Sequence, residues 1–349
     1  MTRLASRPAR FTRMLPLLAV CLPALALVPA CGLGQDDEFK DGVPSSDTVQ
    51  LKVPDQTSTT QGQLSAGDSV TVRGALLGQT ADLYRTTREV TVVINGGTLA
   101  VLGLVHTIVQ FPPTSIGADS AVWGPHSEPL SPNAWRLTVT RVAAGSFDYV
   151  LAAKPKQAAD TVFISILSGH HNVVAGPHGR VIEGLGDGTL TVDWDAEQTL
   201  PEHDNIVGKA DFTYARASFT STASIGVVFT GVKDAGSTEL YNANYQYAAT
   251  PGAGGDFQYA AHRDVLPGPG PTGTAKELFS IHSRWLETGA GRADVQITGG
   301  DSPTPTPTQN ECWDASFAST FKSTNYDPTQ SWGMESTCVF ASASYSSLN

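Results

Sequence analysis

Basic residues are scarce in this chain, and their scarcity excludes one class of partner. Its 349 residues contain 22 lysines and arginines against 33 aspartates and glutamates. Four of the arginines lie in the first thirty residues, so a chain beginning at Cys31 would keep 18 basic residues and a net charge of −15. Such a surface repels phosphate backbones and anionic lipid headgroups. We therefore expect no nucleic-acid partner, and any membrane contact must come from acyl chains.

Cysteine is scarce as well, since the chain has only four. Cys21 lies in an apolar N-terminal segment that we expect to be removed, and Cys31 closes that segment. Cys312 and Cys338 remain, and two cysteines in an oxidising compartment favour one disulfide. Closing a loop of about 26 residues would stabilise the fold by roughly 3–4 kcal/mol in the chain-entropy model. A metal site is the alternative, but two isolated cysteines are too few for zinc, so we predict no metal and no cofactor.

Charge is absent from one long stretch, since no Asp, Glu, Lys or Arg occurs between Glu89 and Asp119. Apolar residues of Val90–Phe111 recur three or four apart, which indicates a helix that Pro112-Pro113 ends. The Asn95-Gly96 pair between β-branched residues is a turn signal and leaves a β-hairpin as the alternative. A helix that is apolar on every side must be buried on every side. We therefore predict a central helix that the following strands cover.

Complete catalytic motifs are also absent. Ser319 and Lys322 match the S-x-x-K nucleophile motif of serine β-lactamases, but the partner motifs S-D-N and K-T-G do not occur, which favours an alternating strand. Gly67-Asp68-Ser69 is similar to the start of an esterase block, but no D-x-x-H follows near the C-terminus, which favours a turn. No nucleophile and base can be paired, so we predict that the chain is not an enzyme.

The titratable residues form no closed set of metal ligands. The only histidine cluster lies in Gly-rich sequence that predicts an exposed loop: His170, His171 and His178, with His203 and Asp204. A zinc site would need defined spacing, which this cluster lacks.

Single residues of chemical interest have ordinary structural explanations. His106, in the apolar stretch, is predicted to be a hydrogen-bonded core histidine. Asp193 and Asp195 would share a strand face, where paired carboxylates can do acid–base work or bind calcium, although a solvated face is the commoner outcome.

Aromatic residues of two successive predicted strands would share one face, because alternate strand positions point the same way. They are Tyr241, Tyr245 and Tyr247 on the first strand, and Phe257 and Tyr259 on the second. Such a face could bind glycan or peptide, whereas cross-strand packing is commoner.

The N-terminus carries an export signal. Arginines at 3, 7, 10 and 13 precede an apolar run from Leu15 to Val28. The run ends in Val28-Pro29-Ala30-Cys31, which resembles the lipobox of bacterial lipoproteins, whose cysteine is lipidated. Gly32 rather than Asp follows, so the resemblance implies an outer-membrane address. A secretory signal cut after Ala30, or a short membrane anchor, is the alternative.

Beyond the signal peptide (1–30) we predict a tether, one domain and a tail. Residues 31–64 are acidic and rich in Ser, Thr and Gln, which is typical of a flexible tether. Residues 65–340 form a single β-rich domain, with a lead-in helix over 75–88. The Ser-rich residues 341–349 are predicted to be disordered.

The domain body predicts ten or eleven strands, because short alternating segments recur between turn signals. They are 135–141, 147–151, 161–167, 189–194, 210–215, 225–232, 240–247, 257–261, 278–286, 293–298 and 312–321. This spacing favours an antiparallel meander closed as a barrel or sandwich. Eleven strands can enclose a helix, so we predict a barrel packed around the apolar helix.

The C-terminal part resembles a family of uncharacterised lipoproteins of Gram-negative bacteria. The resemblance rests on Arg284-Trp285-Leu286, Gly289–Val295, Gly299-Gly300-Asp301, Glu311-Cys312-Trp313-Asp314 and Cys338. Pro112-Pro113-Thr114 and Trp123-Gly124-Pro125 also match, so it covers most of residues 85–340. It implies an envelope address and one domain, but no activity or ligand.

Two functions remain on the sequence alone. The first is a non-enzymatic envelope lipoprotein, a structural or interaction module held in the outer membrane by lipid on Cys31. Its partner would be an envelope protein or a glycan. The second is a carrier for an apolar ligand in a barrel interior, which requires that Val90–Phe111 is a hairpin in the barrel wall and leaves a cavity inside.

Overall fold

The computed structural model describes residues 35–49, 52–54, 76–233, 237–265 and 275–349. These residues belong to one unit of the chain, Gly34–Asn349. The signal peptide 1–30, Cys31 and Gly67-Asp68-Ser69 lie outside the described residues, and the predictions for them stay predictions.

Fifteen strands form one antiparallel sheet in which every strand pairs with its neighbours in sequence. The first eight are β1 (Ser115–Ile116), β2 (Ser120–His126), β3 (Asn133–Ala143), β4 (Ser146–Pro155), β5 (Ile164–Ala175), β6 (Val181–Asp193), β7 (Lys209–Arg216) and β8 (Ala223–Val232). The others are β9 (Tyr241–Thr250), β10 (Gly254–Arg263), β11 (Glu277–Leu286), β12 (Gly291–Thr298), β13 (Thr308–Trp313), β14 (Ser319–Thr324) and β15 (Trp332–Gly333). The predicted antiparallel meander is confirmed.

The predicted strand number was too low. The segments predicted before residue 300 correspond to β3 through β12, but the single strand predicted over 312–321 spans parts of two strands, β13 and β14. β2 was missed because its sequence does not alternate between polar and apolar residues. Its pairing with β3 also shifts register between Trp123 and His126. β1 and β15 have two residues each, too few for any periodicity.

The first and last strands of the sheet do not pair with each other in the part of the chain that the structure describes. β1 pairs with β2 alone, and β15 pairs with β14 alone. Closure as a barrel is therefore not confirmed.

Alternate strand residues point to one apolar face of the sheet. In β7 the residues Ala210, Phe212 and Tyr214 are buried, and those between them are exposed. Directly paired residues of this face form a row from β2 to β13: Ala121, Val139, Tyr149, Gly169, Leu190, Phe212, Val227, Tyr245, Tyr259, Ile281, Val295 and Gln309. The main hydrophobic core lies on this inner face.

Four aromatic rings of the inner face lie against glycines on the neighbouring strand. The directly opposed pairs are Tyr149 with Gly169, Tyr214 with Gly188, Trp285 with Gly255, and Trp313 with Gly291. A Cβ at each glycine would lie within 3 Å of the ring opposite, so only glycine leaves room for it. Aromatic cover of strand glycines accompanies strong sheet curvature.

Four α-helices accompany the sheet: α1 (Gln35–Asp41), α2 (Ser46–Val49), α3 (Asp82–Val109) and α4 (Trp194–Glu197). α3 contains the apolar stretch and runs through Asn95-Gly96, so the hairpin alternative is wrong. The lead-in helix predicted over 75–88 begins only at Asp82 and is continuous with the stretch. None of the described helices is long and apolar enough to span a membrane.

Burial of α3 is one-sided. Leu83, Val90, Leu102 and Val105 are buried among its apolar positions, and α3 packs on β11, β12 and β13. Gly103 and Thr107 are exposed. The prediction of burial on every side was therefore wrong, since hydropathy over this stretch does not show which face the sheet leaves uncovered.

Part of the predicted tether is packed on the sheet instead. α1 contacts β2 and β3. Its Phe39 also packs edge-on against Phe147 of β4, with ring centroids 6.3 Å apart. α2 contacts β6, β7 and α3. Phe39 and Val43 are buried, and these two apolar residues were outweighed by the polar composition around them.

The C-terminal residues 341–349 lie along the outer face of the sheet, so the predicted disorder was wrong. The Cys312–Cys338 disulfide, predicted from the sequence, is formed and fixes the base of this segment. Contacts to the segment then come from Arg292 (to the Phe340 carbonyl), Arg284 (Ser342), Asp294 and His282 (Ser344), Gln258 (Ser346 and Ser347) and Asn244 (Asn349). Composition predicted disorder because it carries no information about polar partners on distant strands.

Candidate functional site

A groove of about 360 Å³ opens at the rim of the inner face. It lies at the ends of β7 to β11, and Asp47, Thr48 and residues 52–54 form its other side. Its volume is in the range typical of small-molecule sites. We call it the rim groove.

Arg216 is the cation that the sheet places in the rim groove. It ends β7 on the same face as Phe212 and Tyr214, opposite Gly186. The buried Nε atom has no hydrogen-bond partner among the described residues. Its guanidinium carbon lies 5.2 Å from the centre of the Phe219 ring. An unsatisfied buried N–H is costly, so this side chain is ready to donate to an anion.

The walls of the rim groove are mainly apolar. Ile225 and Trp285 are buried at its floor, and Val53 and Pro54 line the opposite side. The Tyr247 hydroxyl donates to the Lys52 carbonyl at 2.7 Å and accepts from the Lys52 amide at 3.2 Å. This pair of bonds fixes the distance between the two walls. Burial raises the pKa of Tyr247, so its hydroxyl stays protonated.

Two carboxylates and a lysine stand at the solvent side of the rim groove. Asp47, Glu287 and Lys52 line it, and all three are exposed. Their charges are therefore screened by water and salt. Arg216 is only partly exposed, so its charge is screened less than theirs.

A second polar cluster on the outer face has distances similar to those of a catalytic triad. His170 lies 2.7 Å through Nδ1 from the Asp148 carboxylate and 3.1 Å through Nε2 from the Ser146 hydroxyl. In a serine hydrolase the hydroxyl would donate to a neutral imidazole. Here the Ser146 hydroxyl donates at 2.8 Å to the Asn172 side-chain oxygen, which also lies 3.1 Å from His170 Nε2.

The hydrogen bonds of this cluster oppose nucleophilic catalysis by Ser146. Asn172 donates its amide to Asp187 at 2.9 Å, which orients its oxygen toward His170 and Ser146. The hydrogen bond to Asp148 raises the pKa of His170, and Asn172 adds to that shift. The Ser146 hydroxyl donates to Asn172 rather than to the imidazole that would have to accept its proton. We therefore assign this cluster no catalytic step.

His171, the neighbour of His170, is buried. Both residues belong to β5, so the predicted exposed loop is a strand. The His171 ring lies over Gly186, and its Nδ1 is 3.1 Å from the Tyr214 hydroxyl. Burial lowers the pKa of His171 to about 4. His178 lies in a 3₁₀ turn (Pro177–Gly179), and the exposed His203 is hydrogen-bonded to the Asp204 carbonyl, so the histidine cluster is dispersed.

The S-x-x-K residues lie on strand β14, as predicted, but Lys322 has a structural partner. Its ammonium group is 2.8 Å from the Asp82 carboxylate, and both side chains are buried. The Ser319 hydroxyl accepts a hydrogen bond from Trp332 at 3.3 Å. Lys322 therefore forms a buried ion pair at the start of α3.

Glu311 contributes to the same buried network. One carboxylate oxygen accepts from the Leu83 amide at 2.7 Å, at the N-terminus of α3. The other has no partner among the described residues. Burial raises the pKa of Glu311, although the Leu83 amide and Lys322 favour the charged form. This network orients α3 on β13 and β14.

The remaining sequence candidates have local structural roles. His106 bonds to the Pro44 carbonyl at 3.0 Å, which agrees with the predicted hydrogen-bonded histidine, although it is only partly buried. Asp193 caps α4 through the Ala196 amide. Asp195 lies within α4 and accepts from the Gly208 amide, so the two carboxylates do not share a strand face.

The aromatic face of β9 and β10 is packed rather than open. Tyr245, Tyr247, Phe257 and Tyr259 are buried, and Tyr245 and Phe257 meet edge-on with centroids 5.1 Å apart. Tyr241 is partly buried under Arg263. In the described ranges, no group of three or more His, Cys, Asp or Glu side chains could hold a metal ion.

Arg216 was missed from the sequence although a signal exists. The predicted strand 210–215 alternates, and one more residue would have placed an arginine on the buried face. The rest of the rim groove comes from loops and from residues 47–48 and 52–54, whose position no local pattern predicts.

No protein-family model matches this chain, no curated protein matches it, and no solved structure matches its fold.

Proposed function

We propose that the chain is a non-enzymatic lipoprotein of the outer membrane, in which it serves as an interaction module. Lipid on Cys31 anchors it, and an envelope protein or a glycan is its partner. The observation that carries the proposal is the Arg-led apolar segment that ends in Val28-Pro29-Ala30-Cys31. The resemblance to Gram-negative lipoproteins agrees with it.

The arrangement around α3 supports a scaffold role. α2 contacts both β6 and β7 on one side and α3 on the other, while α3 packs on β11 to β13. Because α2 and α3 touch each other while they pack on distant strands, the meander is proposed to curl into a barrel-like shell that covers the buried side of α3. Packed aromatic rings and a buried ion pair make the core rigid. A rigid core suits a protein that binds a partner on its surface. The non-enzymatic part of the proposal agrees with the Ser146 hydroxyl, which donates to Asn172 and not to His170.

Metabolic labelling with palmitate tests the anchor. The wild-type protein should incorporate label and fractionate with the outer membrane, whereas Cys31→Ser should do neither. Cys21→Ser is the matched control, because it lies within the segment expected to be removed, and it should be labelled like wild type. A mature protein that starts at Cys31 without label would refute the proposal.

A carrier function is the second candidate, and the rim groove favours it. The groove has the volume of a small-molecule site, and its walls are mainly apolar. In this alternative the ligand occupies the rim groove rather than the inner face of the sheet on which α3 packs.

A further inference from the structure

We infer that the rim groove binds a small amphiphile with one carboxylate, whose charged group is held by Arg216. This inference deepens the carrier candidate and rests on it. It names the ligand class and the residue that selects it.

The anionic group follows from the state of Arg216. Its Nε atom is buried and has no hydrogen-bond partner among the described residues. The Nε atoms of Arg85 and Arg284 are also buried without a partner, but the terminal nitrogens of these two arginines pair with Asp82 and Asp294, whereas no carboxylate pairs with Arg216 among the described residues. A ligand carboxylate would supply the partner that the fold withholds, in the bidentate geometry that guanidinium favours.

The preference for a ligand with one negative charge follows from the exposed charged residues at the rim. Asp47, Glu287 and Lys52 stand at the mouth of the groove and leave it with one excess negative charge, which, although screened, disfavours an anion with several charges. A carboxylate bound at the half-buried Arg216 is compensated locally. The acidic net charge of the chain gives the same preference, because multiply charged anions are repelled at long range.

The apolar part of the ligand follows from the walls. Ile225, Trp285, Val53 and Pro54 offer surfaces that only non-polar groups can cover without loss of hydrogen bonds. Polar side chains, including Thr48 and Ser221, are the minority. A polar sugar acid of similar size would leave its hydroxyl groups unsatisfied there.

Calorimetric titration with decanoate tests the inference in the full chain carrying Cys31→Ser, which removes the acyl chains as competitors. Decanoate should bind, butanoate more weakly, and each added methylene should improve affinity about threefold to fourfold. Neutral decanol should bind about ten- to hundredfold more weakly than decanoate, because it lacks the charge-assisted hydrogen bond.

Three variants test the carboxylate anchor at Arg216, the apolar walls of the rim groove and the specificity of an arginine substitution. Arg216→Gln should weaken decanoate about ten- to hundredfold and leave decanol unchanged. Arg180→Gln, which changes an exposed arginine away from the groove, should leave both unchanged. Ala223→Leu, which fills part of the groove, should weaken both ligands. Circular dichroism and thermal melting verify that each variant is folded.

The outcomes distinguish the inference from the functions it rests on. Equal binding of decanoate and decanol, or decanoate affinity that survives Arg216→Gln, would overturn the carboxylate anchor and leave the carrier function standing. Equal binding of butanoate and decanoate would overturn the amphiphile. If neither decanoate nor decanol binds, the carrier function fails as well, while the lipoprotein proposal is decided separately by palmitate labelling.

Discussion

Replacing Gly255 by alanine should destabilise the fold, because the ring of Trp285 occupies the space of the new methyl group. An ideal Cβ at this glycine would lie 2.5 Å from Cε2 of Trp285 and 2.9 Å from its Nε1. Gly255 is not among the glycines with positive φ, so backbone strain does not contribute. The ring cannot move away freely, because Trp285 is buried and lies 6.1 Å from the Tyr247 ring.

The size of the effect follows from two opposing terms. Overpacking a core costs typically about 1–3 kcal/mol. Replacing glycine lowers the entropy of the unfolded chain and offsets roughly 0.4–1 kcal/mol of that cost. The net loss is about 1–2 kcal/mol, which corresponds to a fall in Tm of roughly 2–3 °C for about 300 folded residues.

Gly103→Ala is the matched control with the opposite expected sign. Gly103 lies in α3, is exposed, and has no neighbouring atom within 4 Å of an added Cβ. Alanine should stabilise the helix there by up to about 1 kcal/mol. The same chemical change therefore raises Tm at one site and lowers it at the other.

A double-mutant cycle tests the cause directly. Trp285→Leu removes the ring, so Gly255→Ala should cost less than about 0.5 kcal/mol in that background. Thermal melting and urea unfolding measure all four proteins. Equal effects of Gly255→Ala with and without Trp285 would show that the aromatic cover of glycine is not the origin of the cost.

Two further predictions concern acid and reduction. The pKa of His171 lies at about 4 in the fold and near 6.5 when unfolded, so the neutral form stabilises the fold above pH 6.5, and about 3 kcal/mol is lost as the pH falls from there to about 4. Urea unfolding across this window should show the loss in wild type and a shallower dependence in His171→Gln; identical slopes would contradict the assignment. Reducing the Cys312–Cys338 disulfide should cost roughly 3–4 kcal/mol and speed the release of C-terminal residues by carboxypeptidase, whereas unchanged release would show that the polar contacts alone hold the segment.

Local patterns predicted those parts of the fold that depend on neighbouring residues. Alternation over 210–215 gave β7 with its inner face, and the spacing within Val90–Phe111 gave most of α3. Both signals arise from one element that buries one side. The burial of Phe39 and the fixed position of 341–349 depend on distant strands, and composition predicted the wrong state for both.

The candidate sites show the same division between local and distant information. The disulfide was predictable because two cysteines remained after export was considered. The dispersal of the histidines was not, because β5 turns His171 inward and leaves His170 on the outer face. The rim groove needs five strand ends and residues 47–48 and 52–54 together, so only the unpaired Arg216 within it left a trace in the sequence.

On the export route proposed above, the chain emerges from its N-terminus, and this order bears on how α3 reaches its place. Every strand pairs with its neighbour in sequence, so hairpins can form as soon as they emerge. The start of α3 is different: Thr87 contacts Ser283, Leu83 bonds to Glu311 and Asp82 to Lys322, at separations of 196, 228 and 240 residues. The apolar face of α3 therefore stays exposed until the last hairpin has formed and packed on it. Such intermediates are prone to aggregate, so we expect the newly exported chain to depend on a periplasmic holdase until β14 has docked.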